Sequence, residues 1–375
     1  MRINKLNFKD YAAQKPVFVT PSGKFSTLKE VISDRKSTLG SLHTLSDEQQ
    51  IKLTLERYKM EPDFQLGIFG QGTMTKAEIM KEIQAKTEFG VLAVKVEMQY
   101  CNELIRDVRK TTIPKMPIIP KNPIRIEPYW KYFRKCLWIR LKNTALFAEN
   151  TTDSVTTTFA DYRIANVHPK FAARGFNVVA NTGTSNTRTN FVATAKKALT
   201  TYIGGIGHGN YNRYTGHAGE NILKVGAYDA SEVKGKTIHF LSCRTAATLG
   251  PDTVLKEAKC YAGYDENFHF VWDNPSTPVN EIDLFKKSDS VFDVWMAYGY
   301  TAQQAYNAAI ATFNASIASV PGTTAASWLS YDRDHFRLLG NPATKVSPYR
   351  YVRICFPFRL QLHEEMLAEI GDLVD

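Results

Sequence analysis

"YIGGIGHGNYN", residues 202–212, decides how the chain is read. An apolar run breaks into glycines, and His208 stands between two of them. A short apolar run that ends in glycine is the pattern of a buried strand entering a turn. A second run of this kind, "KTIHFLSC" at 236–243, ends in Cys243, 35 positions after His208. One helix-and-loop crossover fits between them, so the two strands are expected as neighbours in a parallel sheet. In open sheets of that kind, reactive groups gather beyond the carboxyl ends of the strands. His208 and Cys243 both occupy such ends.

The flanking sequence repeats the alternation. "CLWIRLK", "NVVANT" and "CYAGY" read as strands; "VHPKFAARGF", "TRTNFVATAKKALT" and "TAATLGPDTVLKEAK" read as helices between them. Near the end, "TAQQAYNAAIATFNASIA" is an alanine-rich helix and "HFRLLGNPATKV" a strand and turn. Apolar strands alternating with helices predict an α/β fold with a mostly parallel central sheet flanked by helices. Ahead of this region the pattern differs. "SDEQQIKLTLERYKM" reads as a helix capped by Ser46, and "TMTKAEIMKEIQAKTEFG" as one that starts at Thr73 or Thr75 and stops at Gly90. Ile79, Ile83, Leu92, Val96, Tyr100 and Leu104 recur near helical spacing, as in a helical hairpin. Between the two regions, "TTIPKMPIIPKNPIRIEP" carries five prolines, which interrupt helices and favour extended chain. The expected plan is a mainly helical domain at 1–112, a linker at 113–129, an α/β domain at 130–350 and an extension at 351–375.

Composition narrows the functions. The chain has 375 residues, 43% of them hydrophobic, enough for two cored domains. No run reaches the roughly 18 apolar residues of a membrane span. "MRINKLNFKDYAAQKP" lacks a secretory h-region, so a cytoplasmic location is expected. The five cysteines (Cys101, Cys136, Cys243, Cys260, Cys355) show no CxxC and no ligand spacing with histidine. That pattern points to neither a disulfide framework nor a metal site, and no cofactor is expected. Apart from Cys243, these thiols lie within apolar stretches and read as core. The net charge is +10, with Lys and Arg concentrated between Lys115 and Lys142. Nucleic acid is therefore an alternative partner, to be recognised by salt-dependent binding.

A thiolate is a strong nucleophile, and an imidazole beside it can take or return its proton. A helix directly after Cys243 would favour the thiolate through its dipole. The backbone N–H groups of Gly209 and Cys243 can together form an oxyanion hole.

These elements resemble the caspase-like (clan CD) cysteine peptidases: caspases, legumains, clostripain, gingipains, and the CHAT and separase proteases. "YIGGIGHGN" looks like the strand that ends in His-Gly, and "TIHFLSCRTA" like the strand that ends in a small residue and Cys. "HFRLLGNPATKV" is similar to the "LxGDP" segment of the gingipain and CHAT side, with Asn341 in place of the acid. The resemblance covers roughly Cys136 to Val346 and nothing before residue 110. It implies a caspase-like sandwich, a cysteine endopeptidase with His208 as general base and Cys243 as nucleophile, and a protein or peptide substrate. It also implies an effector of a defence or cell-death pathway. The helical N-terminal domain, which the resemblance does not cover, is expected to restrain that activity or to recruit a partner or substrate. An inactive scaffold of the same fold is the alternative. In gingipain-like members one acid after the first strand steadies the histidine, and another about a dozen residues on binds a basic P1 side chain. In "LFAENTTDSVTTTFADY" those positions fall on Glu149 and Asp161, with Asp153 competing for either role. His217 is the rival histidine, and Glu220 a candidate contact to the histidine loop. His239 reads as a satisfied sheet residue, and Trp272 in "FVWDNPSTPV" as a cleft or core residue.

Overall fold

The computed structural model describes residues 8–20, 23–33, 45–68, 72–108, 136–272 and 279–355. The proline-rich linker and most of the C-terminal extension lie outside these. Two compact units form. One unites residues 1–116 with 268–289 and 310–335; the other holds 117–267, 290–309 and 336–375. The proline stretch thus marks only one crossing between them, and the expected 130–350 domain gives two of its segments to the first unit.

The second unit is built on a six-stranded sheet. Its strands are β1 (Thr144–Glu149), β2 (Asn177–Thr182), β3 (Thr200–Ile206), β4 (Thr237–Leu241), β5 (Cys260–Tyr264) and β6 (Phe336–Gly340). They lie in the order β6-β5-β4-β3-β1-β2. All pairs are parallel except β5 with β6. The mixed α/β class is as expected, and β3 and β4 are neighbours in register from Thr237↔Tyr202 to Leu241↔Ile206.

The inner strands β1, β3, β4 and β5 are buried on both faces, which is why they run mostly apolar rather than alternating, while the edge strands β2 and β6 are more exposed. Leu146, Ile203, Ile238, Phe240 and Tyr261 belong to one buried cluster, which also takes in Phe191 and Leu249 from helices. On β1 and β3 the intervening residues Phe147 and Tyr202 pack with Phe171 instead. Gly205 is needed at its place: an added Cβ would lie 2.3 Å from the Ala148 carbonyl oxygen and 2.6 Å from the Tyr214 hydroxyl. That hydroxyl donates to the Ala148 oxygen at 2.5 Å, while the Tyr214 ring stacks on Phe240 at 3.9 Å.

Helix α1 (Ser154–Asn166) follows β1. Its first half carries Thr156, Thr157 and Thr158, weak helix formers that leave little sign of the helix in the sequence. In contrast, the helix after Cys243 is shorter than expected. Turns occupy the residues after Cys243, and α2 runs only Leu249–Leu255. Cys243 therefore lies too far from the start of α2 for the helix dipole to favour its thiolate, since the effect fades within one turn.

The first unit is not purely helical. It contains a three-stranded antiparallel sheet of His269–Val271, Gln65–Ile68 and Gly72–Thr75, and a strand pair at Pro16–Val19 and Phe25–Thr27. Ser46 and Thr75 do cap their helices, each in a capping box. Gly90 is not a stop but sits inside the helix Glu88–Val108. A Cβ there would lie 2.1 Å from the Glu82 carbonyl oxygen, so glycine lets the hairpin close. Two ion pairs, Lys15–Glu61 and Arg57–Glu97, are buried in this unit. No helix among the described residues is long and apolar enough to cross a membrane.

Candidate active site

Strands β1, β3 and β4 end level with one another, at Glu149, Ile206 and Leu241. The chain runs from β1 outward to β2, then returns to β3 on the other side of β1. Connections leave in opposite directions at that point, the place beyond the strand ends where open α/β sheets take their ligands. Asp153 emerges from β1, His208 from β3 and Cys243 from β4. The last two stand at the same offset, two residues beyond the pair Leu241↔Ile206. Between them the Gly207 N–H donates to the Leu241 oxygen at 3.3 Å.

The turns that carry His208 and Cys243 are in contact. An added Cβ on Gly209 would lie 2.2 Å from Ser242 Oγ and 2.8 Å from Thr245 Cγ2. Past Gly209, the tip of the Gly209–Asn210 and Arg213–Thr215 hairpin is latched to the cysteine turn. The Leu249 N–H donates to the Tyr211 oxygen at 2.8 Å, and the Arg244 guanidinium lies 4.9 Å from the Tyr211 ring centre. Arg244, directly after the cysteine, has φ 59, a left-handed conformation that turns the chain sharply. Its Nε also donates to Glu266 at 3.1 Å.

Asp153, rather than Glu149, meets the histidine. Its Oδ2 lies 2.7 Å from His208 Nε2. Its Oδ1 caps α1 by accepting from the Thr156 N–H at 3.0 Å. One carboxylate thus starts the helix and holds the ring. Burial works against its charge, yet the bonds from His208 and Thr156 hold the carboxyl down at about 2.

Glu149 does different work. It is fully buried and pairs with Arg163 Nε at 3.1 Å, meets His168 Nε2 at 2.9 Å and accepts the Ile206 N–H at 3.0 Å. Arg163 Nη1 also donates to Asp293 Oδ2 at 2.7 Å. Asp293 in turn receives the Tyr202 hydroxyl and lies 2.9 Å from His239 Nδ1. Burial alone would push the Asp293 carboxyl up, but Arg163 and His239 hold it well below the ordinary range. Since Arg163 belongs to α1, this network clamps the helix whose cap is Asp153 onto the sheet that carries His208. His239, read from the sequence as a sheet residue, is buried within β4 with its Nδ1 on Asp293.

Cys243 is only 2% exposed. The other cysteines with described side chains are core thiols: burial pushes Cys101 up to about 12 and Cys260 to about 11. Cys136 and Cys355 are register partners in the strand pair Cys136–Lys142 and Tyr349–Cys355; their side chains lie outside the described residues.

The remaining candidates stand apart from this cluster. Asp161 is exposed on α1, and Glu220 is exposed in its loop. His217 begins a one-turn segment whose Ala218 N–H donates to Thr152 Oγ1 at 3.2 Å, beside Asp153. Trp272 belongs to the other compact unit, where its N–H donates to the Gln65 oxygen and its ring packs on Phe270. Asn341 accepts the Ala343 N–H at 2.9 Å and shapes the turn after β6. Arg163 and Asp293 carried no sequence signal, because a lone charge in a helix normally faces water. Asp153 did carry one, as an Asp three residues before Thr156 at a helix start. The chain matches no protein-family model, and no curated protein matches it.

Proposed function

We propose that the protein is a cysteine endopeptidase of caspase-like architecture, with Cys243 as nucleophile and His208 as general base and acid. The observation that carries this reading is the common level of His208 and Cys243 beyond β3 and β4, with Asp153 Oδ2 2.7 Å from His208 Nε2. With Nε2 donating to the Asp153 carboxylate, Nδ1 is the nitrogen that exchanges a proton with the thiol. The thiolate attacks the scissile carbonyl carbon, and the oxygen takes the negative charge. The N–H groups of Gly209 and Cys243 would receive that oxyanion. His208 returns the proton to the leaving amine, and water then hydrolyses the thioester by the reverse use of the same base. A preference for a basic P1 side chain would rest on Asp161, the candidate acid engaged by neither His208 nor Arg163.

The burial of Cys243 favours a resting form that opens on binding substrate or a partner. The test is a fluorogenic peptide panel with Arg, Lys, Asp, Asn or Leu at P1, run on the full chain and on Cys243→Ala. Cleavage by the wild type alone is expected. Equal cleavage by both would show that Cys243 is not the nucleophile. If neither cleaves any peptide, while Cys243→Ala keeps the biological effect, the chain is an inactive scaffold of this fold.

A further inference from the structure

A concave site of about 550 Å³ lies in the second unit. Asn143, Thr200, Lys236 and Lys259 line it. These residues precede or begin β1, β3, β4 and β5. The site therefore occupies the amino-terminal edge of the sheet, opposite His208 and Cys243.

Five cations line it, Lys196, Lys234, Lys236, Lys259 and Arg350, and no acid does. Lys196 pairs with Asp229 and Lys234 with Glu257, but both pairs are largely exposed and so weakly held. Among the described residues, Lys236, Lys259 and Arg350 make no ion pair. Lys236 is only 4% exposed, and two of its three donors go to the Ser231 and Lys234 oxygens at 3.0 and 3.2 Å. The third is left for a ligand oxygen. Burial pushes this ammonium down to about 8, with only the charge of Glu232 opposing; a bound anion would relieve that cost. One lining hydroxyl, Thr201 Oγ1, has no hydrogen-bond partner among the described residues and can donate to an anion. Like charges that converge without acids repel one another, and such an arrangement gains most from an anion of several charges.

We infer that this site binds a compact polyphosphate, a small anion with several phosphoryl groups. Ammonium groups suit it as point charges to tetrahedral oxygens. The volume fits a small molecule, within the usual range of about 300–1,000 Å³ for ligand sites. A concave cluster at a sheet edge also differs from the extended stripe of charge that follows a nucleic-acid backbone. The site does not depend on the peptidase reading.

The test is calorimetric titration of the full chain with inorganic tripolyphosphate at low salt. Lys259→Ala and Arg350→Ala are the variants; both residues are exposed, so their melting temperatures should match the wild type. Binding is expected, weakened about tenfold by each variant, as for loss of one charge-assisted contact. Citrate should bind more weakly than tripolyphosphate. No binding, or binding unchanged in both variants, would overturn the assignment. Vesicles with phosphatidylinositol bisphosphate distinguish the source of the phosphoryl groups. Co-sedimentation lost in the variants identifies a lipid headgroup, and tripolyphosphate binding without co-sedimentation identifies a free anion.

Discussion

Replacing Asp153 by Asn tests the proposed chemistry without dismantling the fold. Oδ1 accepts the Thr156 N–H that caps α1, while Oδ2 holds His208 and also accepts the Thr156 hydroxyl at 3.1 Å, so the backbone cap and the histidine contact fall on different atoms. Asparagine is as good an N-cap as aspartate, and its carbonyl oxygen can keep the Thr156 bond. Its amide then presents N–H to His208 Nε2. The ring must accept there and carry its proton on Nδ1, the wrong form to deprotonate a thiol. A hydrogen bond to a charged group is worth about 1.5–3 kcal/mol when shielded. The side chains of His208 and Asp153 are 30% and 38% exposed, so solvent reduces this; about 1–2 kcal/mol is a fair share at such a site. At about 1.4 kcal/mol per decade, that predicts a loss of roughly 5- to 30-fold from the charge alone. The tautomer should deepen it. Two assays read the loss: kcat/KM on the best peptide of the panel, and the rate at which iodoacetamide alkylates Cys243, followed by mass spectrometry. The second needs no knowledge of the substrate. Melting should shift little. Alkylation and hydrolysis both within twofold of wild type would refute the role of Asp153.

Four further outcomes are expected. Arg163→Met strands the Glu149 and Asp293 carboxylates in the interior, and should cost about 3–5 kcal/mol in urea unfolding; a cost below about 1 kcal/mol would mean the network is not a clamp. Tyr211→Ala removes the ring beneath Arg244, and should speed alkylation of Cys243 if the latched turns govern access; an unchanged rate would count against that. As a depressed carboxylate, Asp153 stabilises the fold at pH above its unfolded value near 3.8, and that share is lost as pH falls through about 2. An acid limb of activity between pH 4 and 8 is therefore not the titration of Asp153, and Asp153→Asn should keep it. Deleting residues 1–112 removes Gln65–Ile68, the strand partner of His269–Val271, and uncovers the buried Trp328. The product should aggregate or melt earlier rather than behave as a clean peptidase domain.

Much of the second unit was legible in the sequence. Its strands β3, β4 and β5 are buried almost throughout, so each appears as a continuous apolar run between turn residues. "TYIGGI", "TIHFL" and "CYAGY" could be placed for that reason. Helix α1 was hidden by three successive threonines whose low propensity its packing overrides. The first unit was harder. Its third strand, His269–Val271, and the helix Thr324–His335 come from far along the chain, and no local pattern records such a partner.

The sequence by itself determined that His208 and Cys243 end successive strands, because strand period and chain order are local properties. Only the tertiary structure decided which acid serves them. Glu149, Asp153 and Asp161 lie within a dozen residues of one another, and spacing cannot rank them. The start of α1 can. It turns Asp153 toward the ring, while Arg163, further along the same helix and buried, draws Glu149 inward. An unpaired charge is costly in the interior, so the position of one arginine fixed which carboxylate could remain beside His208.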